Sequence, residues 1–289
     1  MKIKKLIEKI MNAIFLFCGF LSVALVAFIT IYMVVSGVPA ITEIGFIDFF
    51  FGTAWKPTSS EPSYGILPFI LTSIWGTIGA VLIGIPIGLL TAVFISKMSN
   101  GLLAKIVRPA IQLLAGIPSV VYGLIGMMIV VPTVMDVFNL KSGATLFTAI
   151  IVLAVMILPS IVTISETALV AVPPEYEEAS LALGANKVET VFKISIPAAK
   201  SGIAASVVLG VGRAIGETMA IMMVAGNVAN MPGLFTSVRF LTTAVASEMS
   251  YASGLQESAL FSIALVLYCF IMLINALLNF ILKREKKEK

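Results

Sequence analysis

The chain has 289 residues, 59% of them hydrophobic and 12% charged, with a formal net charge of +4 and a mean hydropathy of +1.08. A soluble fold usually carries roughly 25% charged residues, so the expected solvent for most of this surface is lipid. The absence of histidine excludes His-based triads, His-ligated zinc or haem and His proton relays. A small, scattered net charge gives no reason to expect a nucleic-acid partner. Cys18 and Cys269 lie in long apolar runs without CxxC spacing and read as buried thiols rather than a disulfide or metal pair. No cofactor or metal is expected in this chain.

Crossing a hydrocarbon core about 30 Å thick takes roughly 20 apolar residues in a helix. Stretches of that kind fall at 13–35, 69–95, 109–131, 146–172, 202–227 and 260–282. The expected fold is therefore all-α, a polytopic bundle of six transmembrane helices. The first apolar run exceeds the roughly 7–15 residues of a signal h-region, so a retained helix is expected despite Lys2, Lys4, Lys5 and Lys9 ahead of it. The outer segment 36–68, with its FIDFFFGTAW string, reads as an interfacial or plug segment packed on the bundle, with a receptor contact as the alternative. This divides the chain into a first helix and outer segment at 1–68, a transmembrane core at 69–282 and a basic tail at 283–289.

Lysine and arginine flanking membrane helices stay mostly on the cytoplasmic side. One alternating set of segments holds Lys2, Lys4, Lys5, Lys9, Lys97, Lys105, Arg108, Lys187, Lys193, Lys200 and the tail, against only Lys56, Lys141 and Arg239 in the other. Both termini and the 173–200 loop are thereby assigned to the cytoplasm. Two rows of small residues, Gly76, Ala80, Gly84, Gly88 and Ala92, then Gly202, Ser206, Gly210, Ala214 and Thr218, recur every fourth position. Such rows let helices approach closely where lipid competes for apolar contact.

Glu166, Arg213 and Glu217 fall inside apolar stretches, where an ionised side chain costs about 2.5–3.5 kcal/mol on insertion scales. Arg213 and Glu217 are four apart, which on one helix places them on the same face within ion-pair reach. The functional reading makes Arg213 a fixed positive charge for a crossing anion, with Glu217 limiting how tightly the anion is held; the structural alternative is a pair that fixes helix register. Glu166, nearer a helix end, is a weaker candidate for the same path.

The 173–200 loop is the least lipid-like stretch between helices. Pro173 and Pro174 suit a helix start, Glu175, Glu177 and Glu178 complement its dipole, and Gly184 suits its end. A second short helix is expected at 187–192, and Tyr176, Leu181, Leu183, Val188, Val191 and Phe192 among the charges suggest a partner surface. The loop contains Glu178-Ala179-Ser180, Gly184 and, after nine residues, Ile194-Ser195-Ile196-Pro197. It resembles the EAA loop of binding-protein-dependent (type I) ABC importer permeases, with Ser180 and Ile196 as mild departures. The resemblance implies docking on a cytoplasmic ATPase, with Glu178 and Gly184 as coupling residues.

The strings WKP at 55–57, YGILPFI at 64–70, LLAGIPSVVYGLIG at 113–126 and VGRAIGETMAIMMVAGN at 211–227 are similar to those of the phosphate permease family PstC. That resemblance implies a subunit of an ATP-driven phosphate importer, with a PstA-like permease, a PstB-like ATPase dimer and a PstS-like phosphate-binding protein as partners. It also links Arg213 and Glu217 to phosphate translocation. No glycine precedes a lysine, so no phosphate loop is present and ATP hydrolysis belongs to another chain. The competing readings are an ABC permease for another oxyanion and an ion-coupled secondary transporter using Glu166 and Glu217 as proton carriers.

Overall fold

The computed structural model describes residues 2–99 and 101–287, except the side chains of 2, 3, 6, 278, 279 and 281–287. The charged groups of Lys2 and of the basic tail from 283 onward therefore lie outside the described residues. In chain order the elements are α1 (Lys2–Ile44), α2 (Phe46–Phe51), the antiparallel pair β1 (Trp55–Lys56) and β2 (Ser63–Tyr64), α3 (Leu67–Val93), α4 (Leu102–Gly116), α5 (Ser119–Ile125) and α6 (Val131–Val137). They continue with α7 (Leu146–Val170), α8 (Pro174–Ala182), α9 (Lys187–Thr190), α10 (Ile196–Ala198), α11 (Lys200–Gly216), α12 (Met219–Val224), α13 (Leu241–Glu248) and α14 (Leu255–Lys287). Turns of π-helix at Phe94–Met98, Gly126–Val130 and Val191–Ser195 extend α3, join α5 to α6 and join α9 to α10.

Among the described residues, five helices are long and apolar enough to cross a membrane: Ile7–Ile44, Leu67–Met98, Ser119–Val137, Leu146–Val170 and Leu255–Leu277. The pair Lys187–Ala198 and Lys200–Gly216, bent by 72°, makes a sixth when it is counted as one broken span. The third span differs from the expected 109–131. Ile117 and Pro118 are extended (ψ 127° and 142°), so α4 ends at Gly116 and the crossing helix begins at Ser119. Pro118 offers no N–H and disfavours a helical Ile117, which explains the break. The thiols also differ from expectation: Cys18 and Cys269 are both exposed on this chain. In lipid, outward helix faces are as apolar as inward ones, so apolar neighbours do not imply burial.

The row from Gly76 to Ala92 is buried along α3, against α7. A Cβ on Gly84 would lie 2.7 Å from Ile157 Cδ1 and one on Gly88 2.8 Å from Ile161 Cγ2, so the close approach depends on the missing side chains. The second row packs α11 against α7 as well, with Ile161 between the two rows: Gly210 faces Ile161, and the Ser206 and Ser165 hydroxyls share a 2.8 Å hydrogen bond. Thr218 lies outside α11 and does not continue that row.

The outer segment packs onto the bundle. Phe49, Trp55 and Ile66 join Phe69, Leu241, Leu260 and Ile263 in one buried cluster, and the Gly52 and Gly65 backbones touch where either Cβ would overlap the other. α1 docks on α14 through its last turns, where Ser262 Oγ donates to the Gly37 carbonyl at 2.5 Å and Ala40 is buried. Most of its remaining length is exposed, including Phe15, Phe17, Phe20 and Phe28.

Candidate functional site

Arg213 lies in the last turn of α11, half-buried, and lines a groove of about 580 Å³ with Ser160, Leu209, Gly212 and Asn275. Its Nη1 donates to Ser160 Oγ at 3.2 Å, a neutral partner, and no carboxylate pairs with it among the described residues. Nearer the break after α4, the Tyr122 hydroxyl of α5 donates to the Leu114 carbonyl at 2.7 Å and so caps the broken end of α4. Asn275, on α14, escaped the sequence reading because a lone amide in an apolar helix has no pattern to mark it.

The expected same-face pair of Arg213 and Glu217 is replaced by a different geometry. α11 stops at Gly216, and Glu217 takes extended backbone (φ −70°, ψ 131°). Its Oε1 accepts the Ala220 N–H at 3.0 Å, and its carbonyl accepts the Thr242 hydroxyl at 2.9 Å. Irregular backbone at membrane depth persists only where such freed groups are satisfied. The i,i+4 argument failed because it assumed a continuous helix, and no proline marks this break. Glu166 is also partnered elsewhere: Arg108 of α4 holds it through Nη2 at 2.5 Å and Nε at 2.7 Å, tying α4 to α7.

The loop after α7 folds close to the sequence expectation. α8 starts at Pro174, and Gly184, at φ +91°, turns the chain in a conformation that L side chains rarely adopt. Asn186 and Glu189 form a capping box at the start of α9. Glu178 and Ala179 are exposed on α8, Pro197 is exposed beyond α9, and Ile194 is half-buried. Ser180, where the family pattern has alanine, shares a 2.9 Å hydrogen bond with Thr190 and links the two short helices. Tyr176, Leu181, Val188 and Phe192 are exposed and Leu183 is 90% exposed. Val191 departs from that expected set; it is buried with Val93, Leu169 and Val172 and anchors the loop.

Glu177, beside the motif glutamate, faces inward. Its Oε1 accepts from Lys97 Nζ at 2.5 Å and from Ser195 Oγ at 2.8 Å. Partial burial pushes its pKa up, but the hydrogen bonds from Lys97 and Ser195 and the charges of Lys97 and Lys187 outweigh this and hold the carboxyl below its usual value.

At the other end of the bundle lies a polar cluster that sequence reasoning missed. Glu248, 6% exposed, accepts from Trp55 Nε1 at 3.0 Å, from Gln256 Nε2 at 2.9 Å and from Arg239 Nη1. Arg239 Nε donates to the Asn227 carbonyl at 2.9 Å, and its guanidinium lies 5.8 Å from the Phe69 ring centre. These residues line a cleft of about 780 Å³ that also includes Lys56, Ser59 and Tyr251. Among the described residues, no group of three or more Cys, Asp or Glu side chains converges as a metal site would.

The chain belongs to the family described as "Binding-protein-dependent transport system inner membrane component", whose profile matches residues 84–287. It is thus a multi-pass inner-membrane subunit, not itself an ATPase, of a system comprising a binding protein, an ATPase and a second permease. The "Probable ABC transporter permease protein YqgH" of Bacillus subtilis is 36% identical over 274 residues, covering 93% of this chain and 89% of that protein. The "Phosphate transport system permease protein PstC" of Pasteurella multocida is 35% identical over 263 residues, covering 83% and 81%. In fold, a chain of the MetNI methionine ABC transporter, solved in inward facing conformations, superposes with a TM-score of 0.57 at 20% identity over 76% of this chain and 94% of that one.

Proposed function

We propose that this permease passes inorganic phosphate inward, from a PstS-like binding protein through a path shared with a PstA-like permease, driven by a PstB-like ATPase dimer. The observation that carries the reading is Arg213, a half-buried guanidinium with a neutral partner, lining an open groove at the end of a broken membrane helix. A guanidinium matches a phosphate oxyanion in charge and in planar donor geometry, and relatives named for phosphate transport at 35% and 33% identity support that substrate. In this reading Arg213 contacts the anion. Glu217 holds the break open by capping α12 and keeps a carboxylate nearby, so that the anion is not trapped. Glu166 contributes to the path through its tie to Arg108, which sets the spacing of α4 and α7. Both termini and the α8–α9 loop lie on the cytoplasmic side, where Glu178, Ala179, Ser180, Gly184, Ile194 and Pro197 form the ATPase docking motif.

The test is ATP-dependent uptake of radiolabelled phosphate by proteoliposomes holding the complete transporter. Arg213→Gln should lower uptake by about tenfold or more, the worth of one charge-assisted contact, while the complex still co-purifies. Normal uptake by that variant would remove Arg213 from the path. Stronger competition by sulfate or molybdate than by phosphate would reassign the substrate, and uptake without the ATPase would replace the ABC reading with an ion-coupled one.

A further inference from the structure

The motif glutamate Glu178 is exposed on α8, whereas Glu177 points into the protein. α8 has no buried residue, so apolar packing does not fasten it to the bundle. Its inward connections are polar: Ser180 reaches Thr190 within the loop, and Glu177 reaches Lys97 and Ser195. Lys97, with its side chain 11% exposed, sits in the π-helical turn that ends α3. Ser195 is fully buried in the π-helical turn that leads through α10 into α11, the helix carrying Arg213. One carboxylate oxygen thus bonds α8 to the ends of two helices that both pack along α7. Charge-assisted hydrogen bonds of this length are about twice as strong as neutral ones and hold geometry well.

We propose that Glu177 is a positioning residue for energy coupling: it transmits displacement of α8 to α3 through Lys97 and to α11 through Ser195, while the outward face of α8 meets the ATPase. This rests on the reading of α8 as the ATPase contact. The outward face grips the engine and the inward carboxylate carries the motion, so the two tasks fall to neighbouring residues. A bundle whose loop is docked but not clamped still binds and stimulates its ATPase, yet loses the link between hydrolysis and path opening.

The experiment uses the complete transporter in proteoliposomes, measuring inorganic phosphate taken up per ATP hydrolysed on complex isolated by size exclusion, so that any poorly assembled fraction is removed. Glu177→Gln should keep the ATPase bound and hydrolysing while uptake per ATP falls about fivefold, in keeping with the modest worth of a partly exposed ion pair. The exchange of Glu177→Lys with Lys97→Glu should recover coupling relative to either single change, a recovery that a general packing defect does not give. An unchanged ratio in Glu177→Gln, or a double exchange no better than the single ones, overturns the proposal. Leu183→Asp separates the two readings: it should release the ATPase, and its failure to do so removes the docking surface itself. Loss of ATPase in Leu183→Asp beside a wild-type ratio in Glu177→Gln removes only the clamp.

Discussion

The two ends of α3 are held by opposite kinds of polar chemistry. Near its start, Phe69 packs against Trp55, and Trp55, Arg239 and Gln256 converge from the hairpin, the segment before α13 and the start of α14 on one carboxylate, Glu248. About 40 Å away at 1.5 Å per residue, the far end is tied through Lys97 to Glu177, a residue of a helix with no buried side chain. The first arrangement is a closed, saturated network that fixes the outer segment and the chain after α12 in one position. The second is a tie between a surface helix and the bundle. A saturated network is sensitive to the loss of any member, whereas a single tie costs little stability and instead governs what moves with what.

The largest expected effect falls on the buried network. Glu248→Ala leaves the Arg239 guanidinium, 17% exposed, without its counter-charge, and removing one partner of a buried pair costs about 3–5 kcal/mol. Thermal unfolding of the purified transporter should show a large drop; a loss under about 1 kcal/mol would mean that the network does not hold this end. Trp55→Phe keeps the ring contact with Phe69 but withdraws one donor, and should cost about 1–3 kcal/mol in the same measurement.

The smallest effect falls on the clamp and depends on pH. Because the folded-state pKa of Glu177 is lowered, its stabilisation is fully present above the ordinary carboxylate value and is lost as pH falls through the lowered one. An exposed-side tie of this kind is worth no more than about 1 kcal/mol. Amide exchange in α8, corrected for its intrinsic pH dependence, should therefore rise modestly on acidification. The rise should vanish in Glu177→Gln; a variant that keeps it would assign the pH response to another group.

What was legible in the sequence was periodic or punctuated. Small residues at every fourth position marked the contact of α3 with α7, and Pro173 and Gly184 marked the limits of α8. The third span was misplaced because hydropathy runs unbroken across Ile117 and Pro118, where the backbone does not. The break at Gly216 and Glu217 left no proline, and only the tertiary partners Ala220 N–H and Thr242 Oγ1 make it affordable at that depth. The Glu248 cluster draws on Trp55, Arg239 and Gln256, positions spread over much of the chain, so no local window contains it. Glu177 was read only as a charge near a helix start, and its bond to Lys97 crosses between loops that hydropathy treats separately.

The length of α1 has a consequence for how it is anchored. The helix from Ile7 to Ile44, 38 residues, extends about 57 Å at 1.5 Å per residue, whereas its uncharged apolar run, 13–35, matches a hydrocarbon thickness of about 30 Å. The turns outside that run carry Glu8, Lys9 and Glu43, charges that are expensive in hydrocarbon. The turns around Gly37 and Ala40 lie beyond that run, with Gly37 bonded to Ser262 of α14 and Ala40 in the cluster that holds Phe49 and Trp55. The anchor of the first crossing helix is therefore α14, the same helix that supplies Asn275 to the groove of Arg213.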